Sequence, residues 1–348
     1  MQPRWIGVVV RLGLFGLWLS VATGCATRAG SEVESSAIPD SALAAIGASE
    51  TTTTSDQPYI VVLGTAQDGG YPQIGCDEPL CRAARQDPSR RRTTASLLIA
   101  DPRTGRRWLI DATPDLREQF ERARPHPPTR KTAGPRPPLF DGVFLTHAHI
   151  GHYAGLMHLG REIYGADALP VHASQRFCKF LATNGPWRLL VDTRAIILKA
   201  AQPDVPIVLA PDLTLTPFVV PHRDEFSDTF GYVIRGPARA LLYIPDIDKW
   251  ERWDRRIEDL IAGVDVALLD GTFAAEGEIP GRSMKDIPHP FLAESIARFS
   301  SLPATERAKI RFTHLNHTNP AVDPDSPAAA AVRAAGHVVA DEGEHHRL

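Results

Sequence analysis

Three histidines fall within six residues in Thr146-His147-Ala148-His149-Ile150-Gly151-His152, directly after the apolar run Val143-Phe144-Leu145. A short apolar run of this kind reads as a buried strand. A strand end that feeds a glycine-containing turn can aim several imidazoles at one point, and neutral imidazole is the commonest metal ligand. The spacing predicts a metal site on the rim of a sheet. Zinc sites usually hold four ligands, so the fold must carry other donors to the same rim.

Three further segments have the same form. Val219-Val220-Pro221-His222 places a histidine after an apolar run, Leu242-Tyr243-Ile244-Pro245-Asp246 a carboxylate, and Phe312-Thr313-His314 another histidine. Each alone is more often a structural hydrogen-bonding group; the signal is that all of them end strands. Strands are expected over 59–63, 96–100, 107–110, 141–145, 206–209, 213–220, 231–235, 240–244, 264–269 and 309–313. Helices are expected over 114–122, 153–164, 250–262, 291–299 and 328–335. Asp101-Pro102-Arg103-Thr104-Gly105 joins the second and third strands as a hairpin, since Pro sets φ and Gly permits positive φ. Many strands with interspersed helices predict an α/β (α+β) fold: two mixed sheets in a sandwich with helices outside.

The order His-x-His-x-x-His, His, Asp, His resembles the metallo-β-lactamase superfamily, whose αββα sandwich holds one or two metal ions at its edge. Within it the chain is similar to the coenzyme PQQ synthesis protein B family. The stretches that carry this are Gly64-Thr65-Ala66-Gln67-Asp68-Gly69-Gly70-Tyr71-Pro72-Gln73, Asp270-Gly271-Thr272-Phe273, Gly281-Arg282-Ser283-Met284 and His314-Leu315-Asn316-His317-Thr318-Asn319-Pro320. The likeness runs from about Tyr59 to about Gly343. A second relative is the phosphodiesterase branch that cleaves cyclic ribose phosphates. The resemblance implies that His147, His149 and His222 hold a first metal, that Asp246 bridges, and that His152 and His314 hold a second. Zinc is the expected ion, with manganese or iron as alternatives. The superfamily usually has Asp where this chain has Gly151. That departure implies a second position that is weaker, or completed by water or substrate.

The N-terminal segment has the pattern of an export signal: Arg4 and Arg11, an apolar stretch from Leu12 to Val21, then Val21-Ala22-Thr23-Gly24-Cys25. The stretch is too short for a spanning helix, which needs ~20 apolar residues. Small residues before the cysteine resemble a bacterial lipobox, which would make Cys25 the lipidated residue. The alternative is a signal peptide cut elsewhere. The expected organisation is a leader over 1–25, a Ser/Thr/Ala-rich tether over 26–57 and a catalytic domain over 58–348. A tether of about 32 flexible residues reaches roughly 30 Å. Ala26 after the cysteine implies a lipoprotein on the periplasmic face of a membrane, the outer membrane in particular. Residues 124–138 hold six prolines and read as a loop.

The formal net charge of −3 gives no support for a nucleic-acid footprint, which needs a basic excess. The expected partners are a small-molecule substrate and, through the lipid anchor, a membrane. Of the four cysteines, Cys178 reads as a buried small hydrophobe. Cys76 and Cys81 are close enough in sequence to pair or to share a metal. The resemblance implies a structural zinc held by Cys76, Cys81 and His317, with Glu78 or water as fourth ligand. A Cys76–Cys81 disulfide in an oxidising compartment is the alternative.

These features predict a metallohydrolase in which a metal ion supplies hydroxide from bound water to an ester, phosphodiester or lactone. Asp246 would orient the hydroxide. His317 and Asp224 are candidates for the acid that serves the leaving group, given Gly151. Arg223, Asp224, Ser227 and Asp228 form a polar loop that either lines the substrate pocket or is merely solvated. The first rival reading is an oxidative step in quinone cofactor maturation, with iron and dioxygen at the same ligands. The second is a non-catalytic, lipid-anchored binding protein.

Overall fold

In Ser96-Leu97-Leu98-Ile99-Ala100-Asp101 every side chain is buried. Successive strand residues point to opposite faces, so such a run needs cover on both sides. Leu97 and Ile99 enter one apolar cluster and Leu98 another. That division generates the whole architecture of the computed structural model, which describes residues 57–126, 138–281, 283–285 and 287–348. The expected leader, Cys25, the tether up to residue 56, residues 127–137 of the proline-rich loop and Arg282 lie outside the described residues.

In chain order the strands are β1 Tyr59–Gly64, β2 Ser96–Asp101, β3 Arg106–Ile110, β4 Gly142–Phe144, β5 Leu169–Ala173, β6 Ile196–Ala200, β7 Ile207–Ala210, β8 Leu213–Val220, β9 Thr229–Arg235, β10 Ala240–Ile244, β11 Val266–Asp270, β12 Ile310–Thr313, β13 Val338–Val339 and β14 His345–Arg347. They form two seven-stranded sheets, ordered β14-β1-β2-β3-β4-β5-β6 and β13-β12-β11-β10-β9-β8-β7. Both are mixed. β3 to β6 run parallel, as do β10 to β13, and the remaining pairs are antiparallel.

Three apolar layers hold the sandwich. Ile60, Leu97, Ile110 and Phe144 of the first sheet meet Leu215, Tyr232, Leu241 and Leu268 of the second. On the outer face of the first sheet, Leu98, Leu109 and Val171 pack against Leu116, Tyr153 and Phe177. On the outer face of the second, Leu242, Leu269 and Phe312 pack against Ile257, Ile261, Leu292 and Phe299. This is the expected fold class, with helices outside two mixed sheets.

Two helices differ from expectation. Instead of one helix over 153–164, a single turn over Ile150–Tyr153 passes into a 3-10 helix over Ala154–Leu159. Gly155 is pressed there against the backbone carbonyl of Thr113, which a Cβ would approach to 2.0 Å. The expected helix over 250–262 is a 3-10 turn, Trp250–Arg252, and a separate helix, Ile257–Ala262. Trp253 is extended between them, stacks on Phe218 and donates its indole N–H to the Val219 carbonyl. Strands β5, β6, β13 and β14 lie outside the expected set; Pro170 and His172 break the apolar run of β5 and take its less buried positions.

His172 makes the fold pH-sensitive. Its ring stacks on Phe144 at 4.5 Å, and burial, with a smaller contribution from Lys199, pushes its pKa down to about 4. The unfolded chain takes up the proton near pH 6.5, the folded chain only near 4. Stability is therefore complete above pH 6.5 and lost as pH falls towards 4. We expect His172→Phe to remove about 2 kcal/mol of the acid-dependent loss, after allowance for partial exposure. Urea unfolding at pH 7.5 and pH 4.5 checks this, and parallel pH dependences in the two proteins would refute it.

Candidate metal centre

Every expected ligand stands just past a strand end on one rim of the sandwich. His147, His149 and His152 follow β4, His222 follows β8, Asp246 follows β10 and His314 follows β12. Ligand sites at the carboxyl ends of strands are a general property of parallel sheets. The turn after β4 is fixed by Asp111, the residue after β3. Its carboxylate accepts from Thr146 N at 2.8 Å and from Thr146 Oγ1 at 2.9 Å. Asp111 and His314 both have left-handed backbone, with φ of 65° and 61°. For non-glycine residues this costs about 1–3 kcal/mol and collects at functional sites.

The donors form two groups that share Asp246. In the first, His147 Nε2 lies 2.8 Å from His149 Nδ1 and 3.2 Å from Asp246 Oδ2, and His222 Nε2 lies 3.2 Å from Asp246 Oδ1. In the second, His152 Nε2 lies 3.2 Å from His314 Nε2, and these two lie 3.7 and 3.8 Å from Asp246 Oδ2. Asp68 Oδ1 joins the second group at 3.4 Å from His152 Nε2 and 4.0 Å from His314 Nε2. Donors around one tetrahedral zinc stand about 3.3–3.4 Å apart, given bonds of about 2.0–2.1 Å. Both groups have that scale.

The hydrogen bonding fits metal ligation better than a polar network. His222 Nε2 and Asp246 Oδ1 are buried and close, yet neither makes a hydrogen bond, and Asp68 Oδ1 is likewise buried without a partner. Buried polar atoms left unpaired are costly, so the ligand they await is part of the design. Burial lowers the pKa of His222 to about 4, and burial also drives His147 and His314 down. These imidazoles are neutral at pH 7, the state in which they bind metal. Burial alone would raise Asp246, but His222, His289, His314 and His147 hold it well below the usual carboxylate range.

Outer partners orient four of the five rings, as metal-binding histidines require, while His222 Nδ1 has none among the described residues. Asp111 Oδ2 accepts from His152 Nδ1 at 2.8 Å, Thr146 Oγ1 lies 3.0 Å from His147 Nδ1, and Thr272 Oγ1 lies 3.0 Å from His314 Nδ1. Glu225 Oε2 lies 3.1 Å from His149 Nε2.

The match to the beta-lactamase superfamily domain model spans residues 106–314, which include every histidine above. The chain is 32% identical over 317 residues to coenzyme PQQ synthesis protein B of Methylobacterium radiotolerans, an alignment that covers 82% of this chain and 98% of that relative. The chain belongs to the metallo-β-lactamase superfamily, in its coenzyme PQQ synthesis protein B family. The Xanthomonas campestris protein of the same name is also 32% identical, over 316 residues, with 82% of this chain and 98% of the relative covered. Among solved structures, zinc-bound PqqB from Methylobacterium extorquens superposes with a TM-score of 0.70 at 25% identity, covering 83% of this chain and all of that one. A diphosphatase of the PhnP family shares the fold, with a TM-score of 0.58 at 22% identity over 84% of this chain and 97% of that one.

Around this centre the remaining residues sort differently. His317 stands with Cys76 and Cys81, its ligand atom and theirs all within 4.8 Å of one another. Both cysteines are free thiols. The chain runs from Asp68 to Cys76 and from His314 to His317, so these groups meet where two segments that reach the metal centre come together. Asp224 accepts from Thr229 Oγ1 at 3.3 Å, and its neighbour Glu225 is the residue that reaches His149. Ser227 Oγ accepts from Ala148 N at 2.8 Å and pins the polar loop against the histidine turn. Cys178 is buried as expected.

Two residues at the centre escaped sequence reasoning. Asp68 was legible only as part of a glycine-rich stretch, with nothing to mark it as a ligand. His289 follows no apolar run and sits between Pro288 and Pro290. Its Nδ1 lies 2.9 Å from Asp270 Oδ2 and 3.2 Å from Asp246 Oδ1. Burial would lower its pKa, but Asp270 and Asp246 outweigh that and raise it to about 9.

Proposed function

We propose that this chain is a metal-dependent enzyme that acts on a small molecule, in a step of the kind coenzyme PQQ synthesis protein B serves. The relatives' name supports the pathway. The chemistry rests on one observation: Asp246 Oδ2 lies between His147 Nε2 at 3.2 Å and His152 Nε2 at 3.7 Å, so one carboxylate serves two groups of donors. A divalent ion bound there would acidify water and polarise a carbonyl or phosphoryl oxygen of a substrate, which makes the attached carbon or phosphorus more electrophilic. His147, His149, His222 and Asp246 would hold the first ion, and Asp246, His152 and His314 would contribute to the second. Asp111, Thr146, Thr272 and Glu225 fix the rings. His289 keeps its Nδ1 proton against Asp270, which leaves Nε2 to take or give a proton. Phe273 packs edge-on against His289 at 5.8 Å and shields it from water. Cys76, Cys81 and His317 would hold a structural zinc.

Imidazole and carboxylate donors suit iron as well as zinc, so the donor set alone leaves two reactions. Relationship to coenzyme PQQ synthesis protein B favours the oxidative step. The shared carboxylate between two donor groups favours hydrolysis of an ester, phosphodiester or lactone, for which paired metals are a recurring device. Metal analysis of protein purified without chelator, with oxygen uptake and hydrolysis measured side by side, separates them. Iron with oxygen uptake on quinone precursors supports the oxidative step. Zinc or manganese with turnover of phosphodiesters or lactones supports hydrolysis. Absence of bound metal would sink both and leave the binding protein.

A further inference from the structure

We infer that Asp68 supplies the missing carboxylate of the second metal position, and that Gly151 is the opening through which it enters. The inference rests on the metal-centre reading above and adds a ligand to it. Position 151, where the resemblance led us to expect Asp, carries no side chain. A Cβ built there would fall 2.1 Å from Asp68 Oδ1, 2.8 Å from its Cγ and 2.5 Å from its Cα. The space that a residue 151 side chain would use is thus already filled by the Asp68 carboxylate and its backbone.

The placement is held from several sides. Gln67 N donates to the Leu315 carbonyl at 2.9 Å, and Leu315 N donates to the Thr65 carbonyl at 2.9 Å. Leu315 follows His314, so the loop that carries Asp68 is stitched to the residue beside its proposed co-ligand. On the other side, Ala66 N donates to the Thr93 carbonyl at 2.9 Å, and Thr94 Oγ1 donates to the Asp68 carbonyl at 3.4 Å. Asp68 Oδ1 is buried without a hydrogen-bond partner, while about a third of the whole side chain stays open to solvent. One oxygen therefore faces the histidines from the mouth of the site. Asp68 Oδ1, His152 Nε2 and His314 Nε2 lie within 4.8 Å of one another, and Asp246 Oδ2 stands 3.7 and 3.8 Å from the two imidazoles, so a zinc position between the histidines could draw on four donors.

The test is a zinc count and a calorimetric zinc titration on chelator-stripped full-length protein. Wild type is compared with Asp68→Ala and Gly151→Ala, with thiols assayed so that zinc on Cys76 and Cys81 is counted apart. We expect wild type to take up two equivalents at the histidine–carboxylate centre and both variants one. Gly151→Ala removes no donor and adds one carbon; its loss of a metal would come from eviction of the Asp68 loop. Circular dichroism and melting of the stripped proteins report folding, and if Gly151→Ala fails to fold, Asp68→Ala decides. Equal zinc counts and affinities in wild type and Asp68→Ala would overturn the inference, whether both hold one or two equivalents. Uptake of no zinc at the centre by wild type would instead overturn the metal reading beneath it.

Discussion

Asp246→Asn is expected to remove metal from both positions at once, to abolish activity and to lower the stability of the metal-free protein. Asp246 is 2% exposed, its Oδ1 has no hydrogen-bond partner, and Oδ2 lies between the two donor groups. An amide keeps the shape and loses the charge that balances two divalent ions. Loss of outer partners of metal ligands already costs 10–100-fold in affinity, so loss of a shared ligand is expected to cost at least about 100-fold at each position. The metal-free protein is expected to lose stability as well. His222, His289, His314 and His147 hold the Asp246 carboxylate well below the usual range, so its charge favours the fold, and removing one partner of a buried pair leaves the other uncompensated. Metal content by mass spectrometry and melting temperature with chelator present check the two halves together. A variant that retained both metals would refute the shared-ligand assignment. One that lost metal only because it failed to fold would show a purely structural role.

Asp111 is expected to separate folding from metal binding through two substitutions. It is fully buried, has φ of 65° and accepts from Thr146 N, Thr146 Oγ1 and His152 Nδ1. Asp111→Ala leaves the buried Thr146 N–H unpaired, at about 1–3 kcal/mol. It also puts a residue with no local hydrogen bond in left-handed backbone, at about 1–2 kcal/mol more. The summed loss, about 2–5 kcal/mol, should appear in urea unfolding of the metal-free protein. Asp111→Asn tolerates that backbone and can still accept from Thr146 N, so its stability should fall little. It loses the charge that orients His152, and binding at the second position should weaken about 10–100-fold with the first unchanged. Equal destabilisation by both substitutions, or undiminished binding in Asp111→Asn, would contradict this account.

The ligands that could be read from sequence share one local signature. His147, His149, His152, His222, Asp246 and His314 each follow an apolar strand, and that pattern survives without knowledge of how the strands pair. Asp68, Asp111, Asp270 and His289 act through distance alone. Asp111 and Asp270 also end apolar strands, but their roles lie in the contacts with His152 and His289 rather than in any spacing. The boundary at Trp253 was illegible because a stack on Phe218, a residue of β8, decides it.

By itself the sequence determined the sandwich, the rim of the candidate centre and six of its candidate ligands, because strand periodicity and the residue after each strand are local properties of the chain. The grouping of donors around Asp246 and of His317 with the thiols was implied by the family resemblance, not by any local pattern; only the tertiary structure decided that Asp68 occupies the space at Gly151 and that His289 stands between Asp246 and Asp270. Those depend on atoms a few ångströms apart whose residues lie far apart in the chain, and no local pattern encodes that proximity.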